Sequence, residues 1–270
     1  MERKIANPGS ALGEAVGALM ETALEHLLSQ ISDEHGYHYL TSGVRKTKAG
    51  TRAKKLLLSD NYGNQYDIDG VIANASMQPL IIIESKYIHY TKHNRDKGSW
   101  ICTAHSAVRR RYHSIRSSIA ILAGSWSGSS VAMLKSNDIN IFHIPFAHIV
   151  DLLRAYGIDF DWGEKDRSQA HAAWHAYQQL SEEEHRQIGE DIIEIIKVPL
   201  IALIEKILDD TTPREIKKII LEVVSNLGEV KVFEFDSVEG AMEFLENTDL
   251  DKVFLTVDSV TLFDPPPFDE

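Results

Sequence analysis

The chain has 270 residues, of which 43% are hydrophobic and 25% charged; that is ample for a packed core and suits one medium domain with additions or two small ones. Its single cysteine, Cys102, excludes an internal disulfide and any Cys-rich zinc module, and fits a reducing interior. The formal net charge of −12 speaks against a nucleic-acid partner until it is divided: residues 1–120 carry 16 Lys and Arg against 11 Asp and Glu, whereas residues 121–270 carry 12 against 29. Phosphate binding depends on local basic surface, so the first half remains eligible.

The opening Met1-Glu2-Arg3-Lys4 leads into Ile-Ala-Asn-Pro, not into the apolar core of a signal peptide. Residues 192–208 are the most apolar later stretch, but Glu194, Lys197, Pro199, Glu205 and Lys206 interrupt them, so no membrane span is expected. A soluble, cytoplasmic protein is expected.

In chain order, residues 10–31 read as a helix with Ser10 as N-cap and Leu12, Val16, Leu19, Ala23, Leu24, Leu27 and Leu28 as its apolar stripe. Glu14 and Glu21, seven residues apart, share a face. Six basic residues and no acid lie between Val44 and Lys55. Among them Lys46, Lys48, Arg52 and Lys54 are candidate phosphate contacts, and a plain solvated loop is the competing reading. A hairpin turn at residues 60–64 leads into Gln65-Tyr66-Asp67-Ile68-Asp69-Gly70-Val71-Ile72. A second apolar run, Pro79-Leu80-Ile81-Ile82-Ile83-Glu84-Ser85-Lys86-Tyr87, follows after a short turn. Alternation on a strand puts Asp67 with Asp69 on one face, and Glu84 with Lys86 on one face of the next.

Residues 87–100 read as polar and irregular. A helix is expected over 103–123, ended by Gly124, with His105, Arg109, Tyr112 and Arg116 along a basic face. Arg109 and Arg116 are the phosphate candidates there. Strands are expected at 129–134 and 139–144, and a helix at 146–156. Beyond residue 159 the chain turns acidic: helical stretches to 208, a helix opened by Thr212-Pro213 and closed by Gly228, a strand at 230–235, a helix at 237–246 and a strand at 252–257. His171 and His175 are four apart, but with no His-Glu-x-x-His pattern they read as surface histidines. The fold expected is α/β, a central mixed sheet flanked by helices over residues 1–158. A C-terminal helical and α+β appendage over 159–270 would serve dimerisation or an accessory role.

An apolar strand does not end in Glu and Lys for stability, since buried charge is costly unless paired or bound to metal. An acid on one strand, about fifteen residues, then an apolar run ending Glu84-Ser85-Lys86 resembles the PD-(D/E)xK nuclease superfamily, with its restriction endonuclease-like fold. The resemblance covers about residues 10–145; Ile68 stands in place of the family's proline, which is often absent. It implies a Mg²⁺-dependent endonuclease, Mn²⁺ substituting, that acts on double-stranded DNA as a homodimer, in the manner of a type II restriction enzyme. Asp69, Glu84 and the Ser85 carbonyl would hold the metal, Lys86 would orient the nucleophile, and Glu21 would complete the catalytic set. Asp67 and Glu14 are the alternatives to Asp69 and Glu21. A repair, recombination or RNA nuclease of the same fold, or a non-catalytic DNA-binding protein, are the other readings.

Overall fold

A computed structural model describes residues 7–47, 50–54, 56–90, 94–162, 166–255, 261, 263 and 264, with backbone alone at 43–47 and 50–54. The chain divides into two compact units, Met1–Asp209 and Asp210–Glu270.

The first unit opens with α1 (Pro8–Glu34), capped by the Asn7 side chain accepting from the Ser10 amide rather than by Ser10 itself. Then come β1 (His38–Thr41), the hairpin β2 (Gly43–Thr47) and β3 (Gly50–Lys54), and a second hairpin, β4 (Leu57–Ser59) and β5 (Gln65–Asp67). Next are β6 (Gly70–Ala73), β7 (Pro79–Ile88), α2 (Asn94–Arg111), β8 (Ser117–Gly124), α3 (Gly128–Ser136), β9 (Ile139–Pro145) and α4 (Phe146–Ala155). Two helices, α5 (Arg167–Gln178) and α6 (Glu182–Leu208), complete the unit.

The protein is thus α/β around a five-stranded mixed sheet in the order β1-β6-β7-β8-β9. The β1/β6 and β6/β7 pairs are antiparallel, and β7/β8 and β8/β9 are parallel. Helices cover both faces, as parallel strands require. Ile81 and Ile83 of β7 and Ile119 and Ile121 of β8 join a core with α1, α4, α5 and α6. Their alternating neighbours meet α2 and α3 on the other face, Ile82 beside Ala104 and Val108, and Ala120 and Leu122 beside Ile101. On α6, Gly189 permits a close helix crossing: a Cβ there would sit 2.6 Å from the Leu19 carbonyl oxygen of α1.

Several expectations are corrected. The expected boundary at 158/159 falls within the first unit, because α5 and α6 bury Ala170, Ala173, Ile188, Ile192 and Ile196 in the same core as α1. Asp67 and Asp69 do not share a strand, for the chain breaks at Ile68: β5 pairs with β4, and β6 with β1 and β7. The helix expected over 103–123 is α2 up to Arg111 and then β8, whose eight residues are all buried. Such a run carries no alternation to distinguish it from a buried helix. Residues 87–100 are not irregular throughout, since β7 runs to Ile88 and α2 starts at Asn94. Residues 129–134 form helix α3, capped by Ser127, instead of a strand.

In the second unit, residues 212–228 hold no helix. They lead into β10 (Ile219–Val224), antiparallel to β11 (Val230–Phe235), with α7 (Val238–Asn247) following. β-Branched residues at Ile219, Ile220, Val223 and Val224 outweigh the N-terminal helix signal of Thr212-Pro213. A 3₁₀ turn at Leu250–Lys252 stands within the strand expected over 252–257, of which 256 and 257 lie outside the described residues. Phe233 and Phe235 pack on Phe244, 4.5 and 5.2 Å between ring centres, and Ala241 is the one buried hydrophobic residue described in this unit. No helix among the described residues is long and apolar enough to cross a membrane. Since the core helices belong to the first unit, a chain ending at Asp209 is expected to fold by itself. Circular dichroism melts check this, and loss of cooperative unfolding would refute it.

Candidate active site

β6 begins one residue after Asp69, and its register with β7, Gly70 opposite Ile83, brings Asp69 across from Glu84. The join is explicit. The Asp69 amide donates to Glu84 Oε2 at 3.4 Å, and the Ser85 amide donates to Asp69 Oδ2 at 3.0 Å. A residue's amide and carbonyl point to the same side of a strand, so the Ser85 carbonyl lies on the same edge of β7 as its amide. Lys86 Nζ donates to Asp69 Oδ2 at 2.7 Å and lies 2.5 Å from Glu84 Oε1. That second approach is an ion contact without hydrogen-bond angles, which leaves Oε1 buried with no hydrogen bond of its own.

Two carboxylates and one ammonium therefore share a site that is dry at Glu84 and open at Asp69, whose side chain is 36% exposed. The Glu84 side chain is 1% exposed. Burial pushes its carboxyl up to about 7; Lys86 opposes this and Asp69 adds to it. The Lys86 ammonium is held above its ordinary value by Glu84 and Asp69 against the opposing effect of burial. Glu21, on α1, lines the same cavity as Ser85 and Lys86. Its carboxyl is raised by desolvation and then by Asp69, with Lys86 pulling the other way. Glu14 lines that cavity farther along α1, where its Oε1 faces the Ser10 hydroxyl at 3.5 Å. Asp67 sits on β5 opposite Leu57. The structure thus gathers Asp69, Glu84, Ser85, Lys86 and Glu21.

Among the described residues, no group of three or more His, Cys, Asp or Glu is placed to hold a metal ion. Asp69, Glu84 and the Ser85 carbonyl nonetheless offer an all-oxygen donor set. Mg²⁺ is usually bound through one or two carboxylates plus water and substrate phosphate. Glu84 Oε1, buried and met by the Lys86 ammonium at 2.5 Å, is the carboxylate oxygen that such an ion would share.

The phosphate candidates fare differently. Lys48 lies outside the described residues; Lys46, Arg52 and Lys54 lie on the β2–β3 hairpin, and their side chains lie outside the described set. Arg109 is on the last turn of α2, half-buried. Arg116 is not on that helix. It precedes β8, where its amide donates to the Leu80 carbonyl and its guanidinium to the Ile207 carbonyl at 2.8 Å, tying β8 to the end of α6. His105 does not share the basic face, being only 1% exposed. Burial first, then Arg109 and Lys86, push its imidazole down to about 3, and neither ring nitrogen has a hydrogen-bond partner. Sequence reading missed the aromatic group at the end of β7, where Tyr87, His89, Phe146, Phe160 and Trp162 meet. Aromatic residues so far apart in sequence carry no local signal.

No protein-family model matches the chain, and no curated protein matches it. Among solved structures it is similar to the crystal structure of a protein of unknown function, AF1548, with a TM-score of 0.28 and 14% identity, over 70% of this chain and 98% of that one.

Proposed function

We propose that the protein is a metal-dependent nuclease of the PD-(D/E)xK type, hydrolysing phosphodiester bonds in DNA. The observation that carries this is the ammonium of Lys86 within ion-pair distance of both Asp69 and Glu84, at the point where β6 and β7 part. The element order supports it: a helix, an antiparallel pair with Asp69 just ahead of β6 and Glu84 on β7, a helix and a parallel strand. A simple structural salt bridge explains the site less well. Exposed pairs contribute little, and a buried pair leaves no reason for a second carboxylate that makes the cluster net negative.

Asp69, Glu84 and the Ser85 carbonyl would hold the ion. When bound, Mg²⁺ supplies charge neutralisation at the phosphate and a water of lowered pKa. Lys86 keeps its charge through neutral pH and orients the attacking oxygen while offsetting negative charge that develops beside it. Glu21 borders the site from α1, where its carboxyl can position a water. A homodimer, with one site per strand of a duplex, fits this reading.

The test is incubation with plasmid, linear DNA and RNA in Mg²⁺, Mn²⁺ or EDTA, beside Lys86→Ala. Metal-dependent products absent from the variant are expected; binding without cleavage in any metal defeats the enzyme reading. Removing Lys86 also leaves two adjacent carboxylates without their cation. The metal-free variant is expected to lose about 3 kcal/mol near pH 8. Mg²⁺ is expected to restore more stability to the variant than to the parent, read from thermal melts with and without the ion. Equal Mg²⁺ shifts in both proteins would contradict a shared carboxylate site.

A further inference from the structure

A cavity of about 830 Å³ opens beside Lys86 and Glu21 and follows α1 back to Asn7. At 1.5 Å per helical residue the span from Glu21 to Asn7 is roughly 20 Å, and a volume of this size takes a ligand of roughly one or two nucleotides. It has two walls of different character. On one, Gly13 and Gly17 bring α1 against Tyr87 with no side chain between, at 3.4 and 3.6 Å from a would-be Cβ. On the other are rings: His89 lies 4.3 Å from Tyr90 and 6.0 Å from Trp162 between centres. Tyr90 and His89 are half-buried, His89 packing also on Phe146 and Phe160 and meeting the Tyr87 hydroxyl at 3.2 Å, whereas Trp162 is buried. Burial holds the His89 imidazole below its ordinary value, leaving a neutral ring at pH 7.

Cations complete the cavity. Lys97 of α2 and Arg167 of α5 line it, both exposed, and neither makes an ion pair or hydrogen bond with any described residue. Three carboxylates share the lining: Asp166 is engaged by the Ser168 hydroxyl and the Gln169 amide, Glu14 meets the Ser10 hydroxyl at 3.5 Å, and Glu21 stands at the Lys86 end. Rings flanked by unpaired cations match an unpaired nucleic-acid segment, because its bases present their faces for stacking and its phosphates seek positive charge. A duplex keeps those faces stacked inside.

We propose that this cleft holds an unpaired stretch of the substrate, bases against His89 and Tyr90 and phosphates against Lys97 and Arg167, beside the phosphodiester presented to Asp69, Glu84 and Lys86. The substrate class is then a nucleic acid with a single-stranded arm or gap next to the cleaved bond. This rests on the nuclease reading.

Two measurements test it. The first is fluorescence anisotropy of labelled single-stranded DNA, single-stranded RNA and blunt duplex in EDTA. The second is cleavage of blunt and splayed-arm substrates in Mg²⁺. Single strands are expected to bind more tightly than the duplex, and Tyr90→Ala and Lys97→Glu to lower that preference roughly tenfold each. Splayed-arm DNA or RNA is expected to be cut at least tenfold faster than blunt duplex, the faster of the two arms naming the polymer. Two variants are used so that one misfolded protein, visible by circular dichroism, does not decide the matter. Single-strand binding that depends on Tyr90, with no cleavage in any metal, overturns the nuclease reading and keeps the cleft. Metal-dependent cleavage with no arm preference, unchanged by both variants, overturns the cleft and keeps the nuclease.

Discussion

Glu84→Gln is expected to abolish metal-dependent cleavage, by roughly hundredfold or more, while stabilising the metal-free protein at pH 8. The substitution keeps the shape of the side chain and an oxygen for the Asp69 amide, but removes the charge that an ion needs. Lys86 retains Asp69 as its partner, so no cation is left unpaired. The stability effect has a definite sign. In the folded protein the Glu84 carboxyl is pushed up from 4.5 to about 7. Through that interval the folded state keeps a proton that the unfolded chain releases. The group's contribution to stability is therefore fullest below pH 4.5 and is lost as pH rises through about 7. Glutamine does not titrate, so the variant gains on the order of 1–3 kcal/mol at pH 8 and loses little at pH 5. Urea unfolding in EDTA at both pH values checks this. A variant less stable than the parent at pH 8 would mean that Glu84 is a plain structural partner of Lys86.

Gly124→Val is expected to destabilise the first unit by about 3 kcal/mol or more, a fall in melting temperature of roughly 6–12 °C. Gly124 ends β8 at φ +91°, and a Cβ there would lie 2.0 Å from the Ile88 carbonyl oxygen. The obstacle is backbone, which cannot swing aside as a side chain can. That carbonyl also accepts from the Ser125 amide at 2.8 Å, so a valine would both strain the turn and push apart the ends of β7 and β8. Cleavage should fall with it, since Ile88 is two residues from Lys86. A melting temperature within 2 °C of the parent would refute the argument.

Reading outward from these residues shows what was legible in the sequence. α1 announced itself through Leu12, Val16, Leu24 and Leu28 on one face, all buried. Charge at the end of an apolar strand marked Glu84 and Lys86, and the interval back to Asp69 matched the register that places it across from Glu84. What failed was whatever depended on distant partners. Ser117–Gly124 is buried on both faces, which erases the period that separates strand from helix. The choice between Asp67 and Asp69 turned on a break at Ile68 that only the pairing of β4 with β5 reveals. The basic face expected to run from His105 to Arg116 dissolved because a helix end at Arg111 separates its members. The aromatic wall joins β7 to residues after α4, a closure that no spacing rule anticipates.

β7 is the third of five strands, paired along one edge with β6 and along the other with β8. Its pairing with β6 ends at Ile83 but that with β8 runs on to Ile88, so the amides it gives to β8 are released only when the sheet comes apart and should be among the last to exchange with deuterium. Glu84 and Lys86 therefore sit in the part of the molecule that opens at close to the full unfolding free energy. Warming should leave their geometry intact up to the melting transition and then remove it in a single step. Inactivation and unfolding would share one temperature, and a protease that trims frayed ends would leave the site untouched.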